Sequence, residues 1–338
     1  MSLRPYQRVT CDEASKSLEH QHTLVQAPTG TGKSVMALAI SEEAVTRVHG
    51  PVIVVAPTDE IFGQMIAMYQ RAGWLVHADK AERQARPSVA MEQALDGAKV
   101  VIVASQQTLA LSDRIERYPR YGWALPILDE CHHAPAATWQ GVRDYFDQPW
   151  LGLSATPERA GMANLWPEHI LAFAGGLQEA IEEGWLVPFA HHYAAGMDPG
   201  DYEALKSEDA REVDAAIERA ISTVRELLSA GPGLAFWPRT RAAKQAAKFL
   251  RSLTPEVSAR ALVGAMPRDE RKLALRQYAA GTLRMLTLCQ VGVEGLDVPP
   301  AAALAIYQQT KIRSRIAQMV GRVLRPLSEC LRGLDEAP

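Results

Sequence analysis

The stretch "TLVQAPTGTGKSVMALAISEEAVTRV", residues 23–48, carries three signals in a row. A short apolar run ends at Ala27, a turn follows with Gly30 and Gly32, and Lys33 and Ser34 open a segment of helical composition. Strand, loop and helix in that order are the context a phosphate-binding loop requires. The glycines let backbone N–H groups point inward at phosphate oxygens, the lysine reaches the β and γ phosphates, and the serine hydroxyl can ligate Mg²⁺. The general pattern has a glycine where this chain has Ala27. The bland alternative, a glycine-rich turn with no ligand, is disfavoured by the strand and helix on either side.

The same alternation continues outward. Apolar runs at 23–27, 52–57, 100–105, 126–130 and 151–156 are short, rich in Val, Ile and Leu, and not alternating, as expected of strands buried on both faces. Helical stretches lie between them, so residues 1–195 read as repeated βαβ units around a mostly parallel sheet. Runs at 233–237, 258–263, 284–289 and 302–307 repeat the style in residues 196–338. Pro126 is awkward inside a strand, so that strand is predicted to begin there. The boundary is placed near residue 195, within a Gly/Pro break, and a helix follows whose stripe is Val213, Ile217, Ile221, Val224 and Leu228. Polar clusters start where apolar runs stop, which is the ligand-binding carboxyl edge of an open α/β sheet.

Composition sets bounds on function. The 338 residues, 47% hydrophobic and 22% charged, suit a soluble protein of about two domains. No apolar run approaches the ~20 residues of a membrane span, and "MSLRPYQRVT" lacks a signal-peptide core, so the expected location is the cytoplasm. The four cysteines are scattered without a CxxC pair, which argues against a disulfide framework. Up to residue 190 there are 15 Lys/Arg against 22 Asp/Glu, and beyond it 21 against 17. A polyanion would meet its favourable field on the second half, although ordinary scatter of surface charge explains the numbers equally well.

"ILDECHHAPAATW", residues 127–139, puts Asp129 and Glu130 beside His132 and His133. Alone, these four would suit zinc or iron. Beside a phosphate loop they take another meaning: Asp129 at a second strand end holds Mg²⁺, and Glu130 prepares the attacking water. The histidines then couple rather than ligate, since adjacent side chains on a strand diverge.

As an ordered set, the motifs resemble those of superfamily 2 DEAD/DEAH-box helicases. "APTGTGKS", "DECHH", "LSATPE" (153–158), "GVEGLDVP" (292–299) and "QMVGRVLRP" (318–326) resemble motifs I, II, III, V and VI. "LRPYQ" (3–7) resembles the glutamine motif, "VVAPTDEIFGQ" (54–64) and "VIVASQQTL" (101–109) resemble motifs Ia and Ib, and "LAFWPRTRAAKQAAKFL" (234–250) resembles motif IV. The nearest branch is DEAH-like, with restriction-enzyme helicase subunits and phage branch-migration helicases. The resemblance implies two tandem RecA-like P-loop NTPase domains and the use of ATP and Mg²⁺. It assigns Arg4 and Gln7 to adenine and Thr29, Gly30, Thr31, Gly32, Lys33 and Ser34 to phosphate. Ser34 and Asp129 go to the metal, Glu130 to water, and His132, Ser154 and Thr156 to coupling. Gly295 and Asp297 would approach the ribose and γ-phosphate side. Gln318, Arg322 and Arg325 would complete the site, the arginines neutralising charge on the transferred phosphoryl group. Those three also fall on one helix face by spacing, where a salt-bridged surface is the ordinary reading.

For nucleic acid, Thr58, Gln64, Gln107 and Thr108 could donate to phosphates without reading bases. Arg241, Lys244, Lys248 and Arg251 form a basic stripe for which a solvated face is the usual reading. Asp59 and Glu60 depart from the family, which often has an arginine after Thr58. "LSECLRGLDEAP" at the end has no strand pattern where relatives continue into another strand, so the expectation is either a second domain that closes its sheet differently or a compact version without C-terminal accessories. The expected activity is a nucleic-acid-dependent ATPase, on DNA in preference to RNA. The rivals are the same engine on RNA and a nucleotide-gated clamp without turnover. A small-molecule P-loop kinase leaves the second-half motifs unexplained.

Overall fold

The computed structural model describes residues 2–81, 83–133, 137–157, 166–189, 198–223, 232–253, 258–289 and 301–307, with 316, 319–321 and 324. The chain separates into two compact units, Met1–Glu183 and Gly184–Pro338. The boundary read from sequence, near 195, falls within 190–197, outside the described residues.

The first unit is a seven-stranded sheet of β1 (Thr23–Gln26), β2 (Val52–Ala56), β3 (Leu75–Asp79), β4 (Val100–Ser105), β5 (Leu125–Asp129), β6 (Leu151–Ser154) and β7 (Glu168–Leu171). Their order is β3-β4-β2-β5-β6-β1-β7, and every neighbouring pair is parallel. Helices α1 (Pro5–Ser17), α2 (Lys33–Arg47), α3 (Asp59–Arg71), α4 (Pro87–Leu95), α5 (Gln106–Leu109), α6 (Ser112–Ile115), α7 (Ala137–Tyr145) and α8 (Gly176–Glu182) accompany it. Two apolar layers form, as a doubly covered sheet demands: Val25, Val54, Val103 and Ile127 share one with Met36 and Ile40, while Ile53, Ile102 and Leu128 share the other with Trp139 and Trp150.

β3 and β7 carry no long apolar run, and both are edge strands. An edge strand is only partly covered, so its sequence is mixed. Pro126 sits second in β5 rather than first, opposite Ile53 of β2, and the pairing with β6 starts one residue later at Ile127. Ala124 N–H donates to Pro51 O, and N–H groups alternate sides along a strand, so Pro126 lacks its donor on the β2 side and leaves the β6 side untouched.

The second unit is a parallel sheet of β8 (Gly233–Phe236), β9 (Ala259–Val263), β10 (Met285–Cys289) and β11 (Ala303–Ile306), in the order β11-β8-β10-β9. With it are α9 (Pro199–Ala204), α10 (Ala210–Thr223), α11 (Thr240–Leu253) and α12 (Arg268–Ala279). Val213, Ile217 and Ile221 of α10 pack on Ala242, Ala243, Ala246 and Ala247 of α11; Val224 and Leu228 lie outside the described residues. Among the described residues no helix is long and apolar enough to cross a membrane.

Candidate active site

Register brings the chemistry of the first unit to one level. Gln26 pairs with Ser154, and Asp129 with Leu153, so the chain leaves β1, β5 and β6 within a residue of the same height. Gly30 and Gly32 both have positive φ, 94° and 83°, the conformation that glycine alone adopts without strain. Ala27 does not share it, so the methyl group that replaces the usual glycine is accommodated without backbone strain. The Ala27 N–H donates to Ser154 O at 3.1 Å, and its carbonyl accepts from Lys33 Nζ at 3.2 Å. Thr31 Oγ1 donates to Pro28 O at 2.7 Å and closes the loop.

The glutamine motif braces this loop. Gln7 is buried; its Oε1 accepts from Arg4 N–H at 3.0 Å and its Nε2 donates to Thr31 O at 3.0 Å. Tyr6 OH donates to the same carbonyl at 2.6 Å, and its ring meets Phe173 with centroids 4.5 Å apart. Sequence reasoning misses both Tyr6 and Phe173: one lies inside the glutamine motif and the other follows β7, with no spacing rule to join them. A Cβ on Gly32 would stand 2.6 Å from Gln7 Nε2, a second reason for glycine there.

Asp129 and Glu130 sit in different surroundings. Burial pushes the Asp129 carboxyl up to about 7, the Glu130 charge adds to this, and Lys33 opposes it. Glu130 has φ of 50°, costly for a non-glycine residue, with its N–H donating to Asp129 Oδ1 at 2.9 Å. His132 Nδ1 lies 3.3 Å from Glu130 Oε2 and 3.2 Å from Ser154 Oγ, and Ser154 Oγ accepts from Thr156 N–H at 3.1 Å. A continuous polar path thus runs from Glu130 through His132 and Ser154 to the backbone of Thr156, whose Oγ1 is buried without a hydrogen-bond partner among the described residues. The Asp129 carboxylate and the Ser34 hydroxyl are hard oxygens, a donor type that fits a divalent cation of the Mg²⁺ kind.

Comparisons with known proteins give the family. Residues 1–159 match the family model described as "Type III restriction enzyme, res subunit", and residues 217–326 match "Helicase conserved C-terminal domain". The chain belongs to superfamily 2 of the helicases. Its two parallel-sheet units are the tandem RecA-like domains of that superfamily. A putative DNA 3'-5' helicase Rad25 of Haloarcula marismortui is 23% identical, over 97% of this chain and 51% of that protein. An ATP-dependent DNA helicase RecG of Escherichia coli O127:H6 is 26% identical, over 89% of this chain and 43% of that protein. Helicase relatives such as these are longer; the chain spans about half the length of the curated relatives it matches. Among solved structures, a fragment of a putative HsdR subunit from Vibrio vulnificus aligns with a TM-score of 0.72 at 20% identity, covering 96% of this chain and 61% of that one. The Hef helicase domain of Pyrococcus furiosus aligns with a TM-score of 0.59 at 19% identity, covering 96% and 94%.

The remaining helicase motif residues divide. Thr58 caps α3, its Oγ1 accepting from Ile61 N–H at 3.3 Å, and Asp59 pairs with Lys80. Thr108 is buried and its Oγ1 accepts from Ala81 N–H at 3.3 Å, whereas Gln64 and Gln107 are exposed. In the second unit Arg241, Lys244, Lys248 and Arg251 line the exposed face of α11; Arg241 reaches Glu208 O, and Arg251 donates to Ala259 O at 2.6 Å. Gly295, Asp297, Gln318, Arg322, Arg325 and the His133 side chain lie outside the described residues.

Proposed function

We propose that this chain is an ATP-driven motor that moves along the phosphate backbone of DNA, with RNA as the alternative track. The observation that carries the reading is the path Glu130–His132–Ser154–Thr156 beside the Lys33 phosphate loop. It links the group that would take the proton of the attacking water to the chain leaving β6. Relatives described as DNA helicases support DNA over RNA.

In this reading the loop N–H groups between Thr29 and Ser34 bind phosphate, and Lys33 neutralises the β and γ oxygens. Gln7 keeps the loop in shape, with Arg4 and Tyr6 at its adenine side. Ser34 and Asp129 would hold Mg²⁺, which supplies charge neutralisation between the phosphates. Glu130 orients water and accepts its proton. Arg322 and Arg325 are assigned to charge on the transferred phosphoryl group, with Gly295, Asp297 and Gln318 beside them, in a second domain spanning 196–338. Phosphate contacts of the track fall to Thr58, Gln64, Gln107 and Thr108 and to Arg241 and Lys244. A clamp without turnover would not need Lys33 and Glu130 together.

The test is ATP turnover measured on single-stranded, duplex, forked and four-way DNA, and on matching RNA. Stimulation by DNA above RNA is expected. Turnover indifferent to every nucleic acid would sink the motor.

A further inference from the structure

The last strand of the first unit follows the phosphate loop closely. β7 pairs with β1, Leu171 opposite Gln26, and Ala172 N–H donates to Gln26 O at 2.9 Å. His169 Nε2 meets Gln26 Oε1 at 2.8 Å. Gln26 directly precedes Ala27, whose carbonyl receives Lys33. Just past β7 the buried Phe173 ring meets Tyr6, whose OH holds the Thr31 carbonyl inside the loop. Gln7 Nε2 donates to that same carbonyl, so Gln7 already fastens the loop to α1. What Tyr6 adds is a tie to the chain leaving β7.

From Phe173 the chain leads out of the first unit. Gly176 N–H donates to Phe173 O at 3.0 Å and opens α8, which buries Ala180. Gly184, at φ of 77°, follows that helix and begins the second unit. There Leu186 is buried and Val187 N–H donates to Leu324 O at 2.9 Å. Leu324 is itself buried, and in the sequence it stands between Arg322 and Arg325. Residues 173–187 are thus anchored twice: through a ring and a hydroxyl to the phosphate loop, and through the backbone to the stretch with the assigned arginines. Packed side chains, hydrogen bonds and helices shift as units, so such a segment passes a displacement on.

Phosphate has to disturb the first anchor. The Thr31 carbonyl and the Gly32 N–H belong to one planar peptide. The tilt that aims this N–H at a phosphate oxygen therefore also aims the carbonyl that Tyr6 holds. We propose that Tyr6 and Phe173 are positioning residues: they pass the tilt of the Thr31–Gly32 peptide along residues 173–187 to Leu324, and so place Arg322 and Arg325 when phosphate is bound. The inference rests on the reading of those arginines as acting on the transferred phosphoryl group.

The experiment uses the full chain with Phe173→Leu, which loses the ring, Phe173→Tyr, which keeps it, and Val187→Pro, which removes the N–H given to Leu324. Melting temperature, KM for ATP and nucleic-acid-stimulated kcat are measured on each. Phe173→Leu and Val187→Pro should each lower kcat about ten- to a hundredfold, the scale of a remote misplacement of reacting groups, with KM held within about twofold. Phe173→Tyr should restore kcat. The double variant should be no slower than the slower single one, since both break one link, whereas independent defects would multiply. Exchange of the Val187 amide should slow when a non-hydrolysable ATP analogue is added to the unaltered chain, and stay as it was in Phe173→Leu. A normal kcat in Phe173→Leu or Val187→Pro, with or without a lower melting temperature, overturns the proposal, and so do multiplied defects. Normal turnover in Arg322→Lys and Arg325→Lys would sink the arginine assignment and the proposal with it; a Val187 amide that ignores the analogue sinks the link alone.

Discussion

The two ends of one sheet edge are built on opposite principles. At β1, β5 and β6 the polar groups are held in costly states: a carboxyl raised to about 7, a non-glycine residue at φ of 50°, and a threonine hydroxyl without a partner among the described residues. At β2, β4 and β3 they are satisfied: Thr58 caps a helix, Thr108 holds a backbone N–H, and Asp79 receives Arg114 and Tyr118. The difference separates chemistry from scaffolding. Groups beside the phosphate loop are left short of bonding, whereas those at the other end are saturated even at Thr58 and Thr108, where the track is proposed to pass.

The contrast can be broken most directly at Glu130. Glu130→Gln should lower ATP turnover by about two to four orders of magnitude, the usual contribution of a general base, while nucleotide binding and melting temperature hold. A drop in stability that matches the drop in turnover would mean that Glu130 belongs to the scaffold after all.

At the saturated end the effects should reverse. Tyr118→Phe leaves one oxygen of a buried carboxylate without its donor and should cost about 1–3 kcal/mol, read by urea denaturation. Thr58→Ala removes the cap of α3 and should cost about 1 kcal/mol by the same measurement. If Thr58 contacts phosphate as well, nucleic-acid affinity falls beyond what the lower stability explains. A change in affinity with no change in stability would erase the distinction between the two ends.

The smallest effect concerns pH. Burial lowers the pKa of His22, whose Nδ1 accepts from Trp150 N–H at 3.1 Å. The folded state therefore binds fewer protons than the unfolded chain below about pH 6.5. Stability contributed by this residue is present above that pH and declines as pH falls through the lowered value. His22→Gln should flatten that limb of a stability–pH curve; an unchanged limb would assign it to other groups.

Much of the first unit is legible from residues 23–48 and the four apolar runs that follow them, because burial on both faces demands continuous apolar runs and a phosphate loop demands glycine before lysine. β3 and β7 escape that reading because edge strands need no such runs. Pro126 reads as the start of its strand and lies one residue inside it. The Tyr6–Phe173 pair and the Asp79–Arg114–Tyr118 brace join residues far apart in the chain, and no periodicity marks them.

Composition, order and spacing thus determined the two parallel-sheet units, the edge at which ligands are met, and the residue types available there. Tertiary structure alone decided which of those residues are committed. Gln7 and Thr108 look equally available in the sequence, yet one amide is tied to the phosphate loop and one hydroxyl to a backbone turn. Hydrogen bonds, desolvation and charge coupling depend on distance through space, and chain spacing controls that distance only within a helix, a strand or a turn.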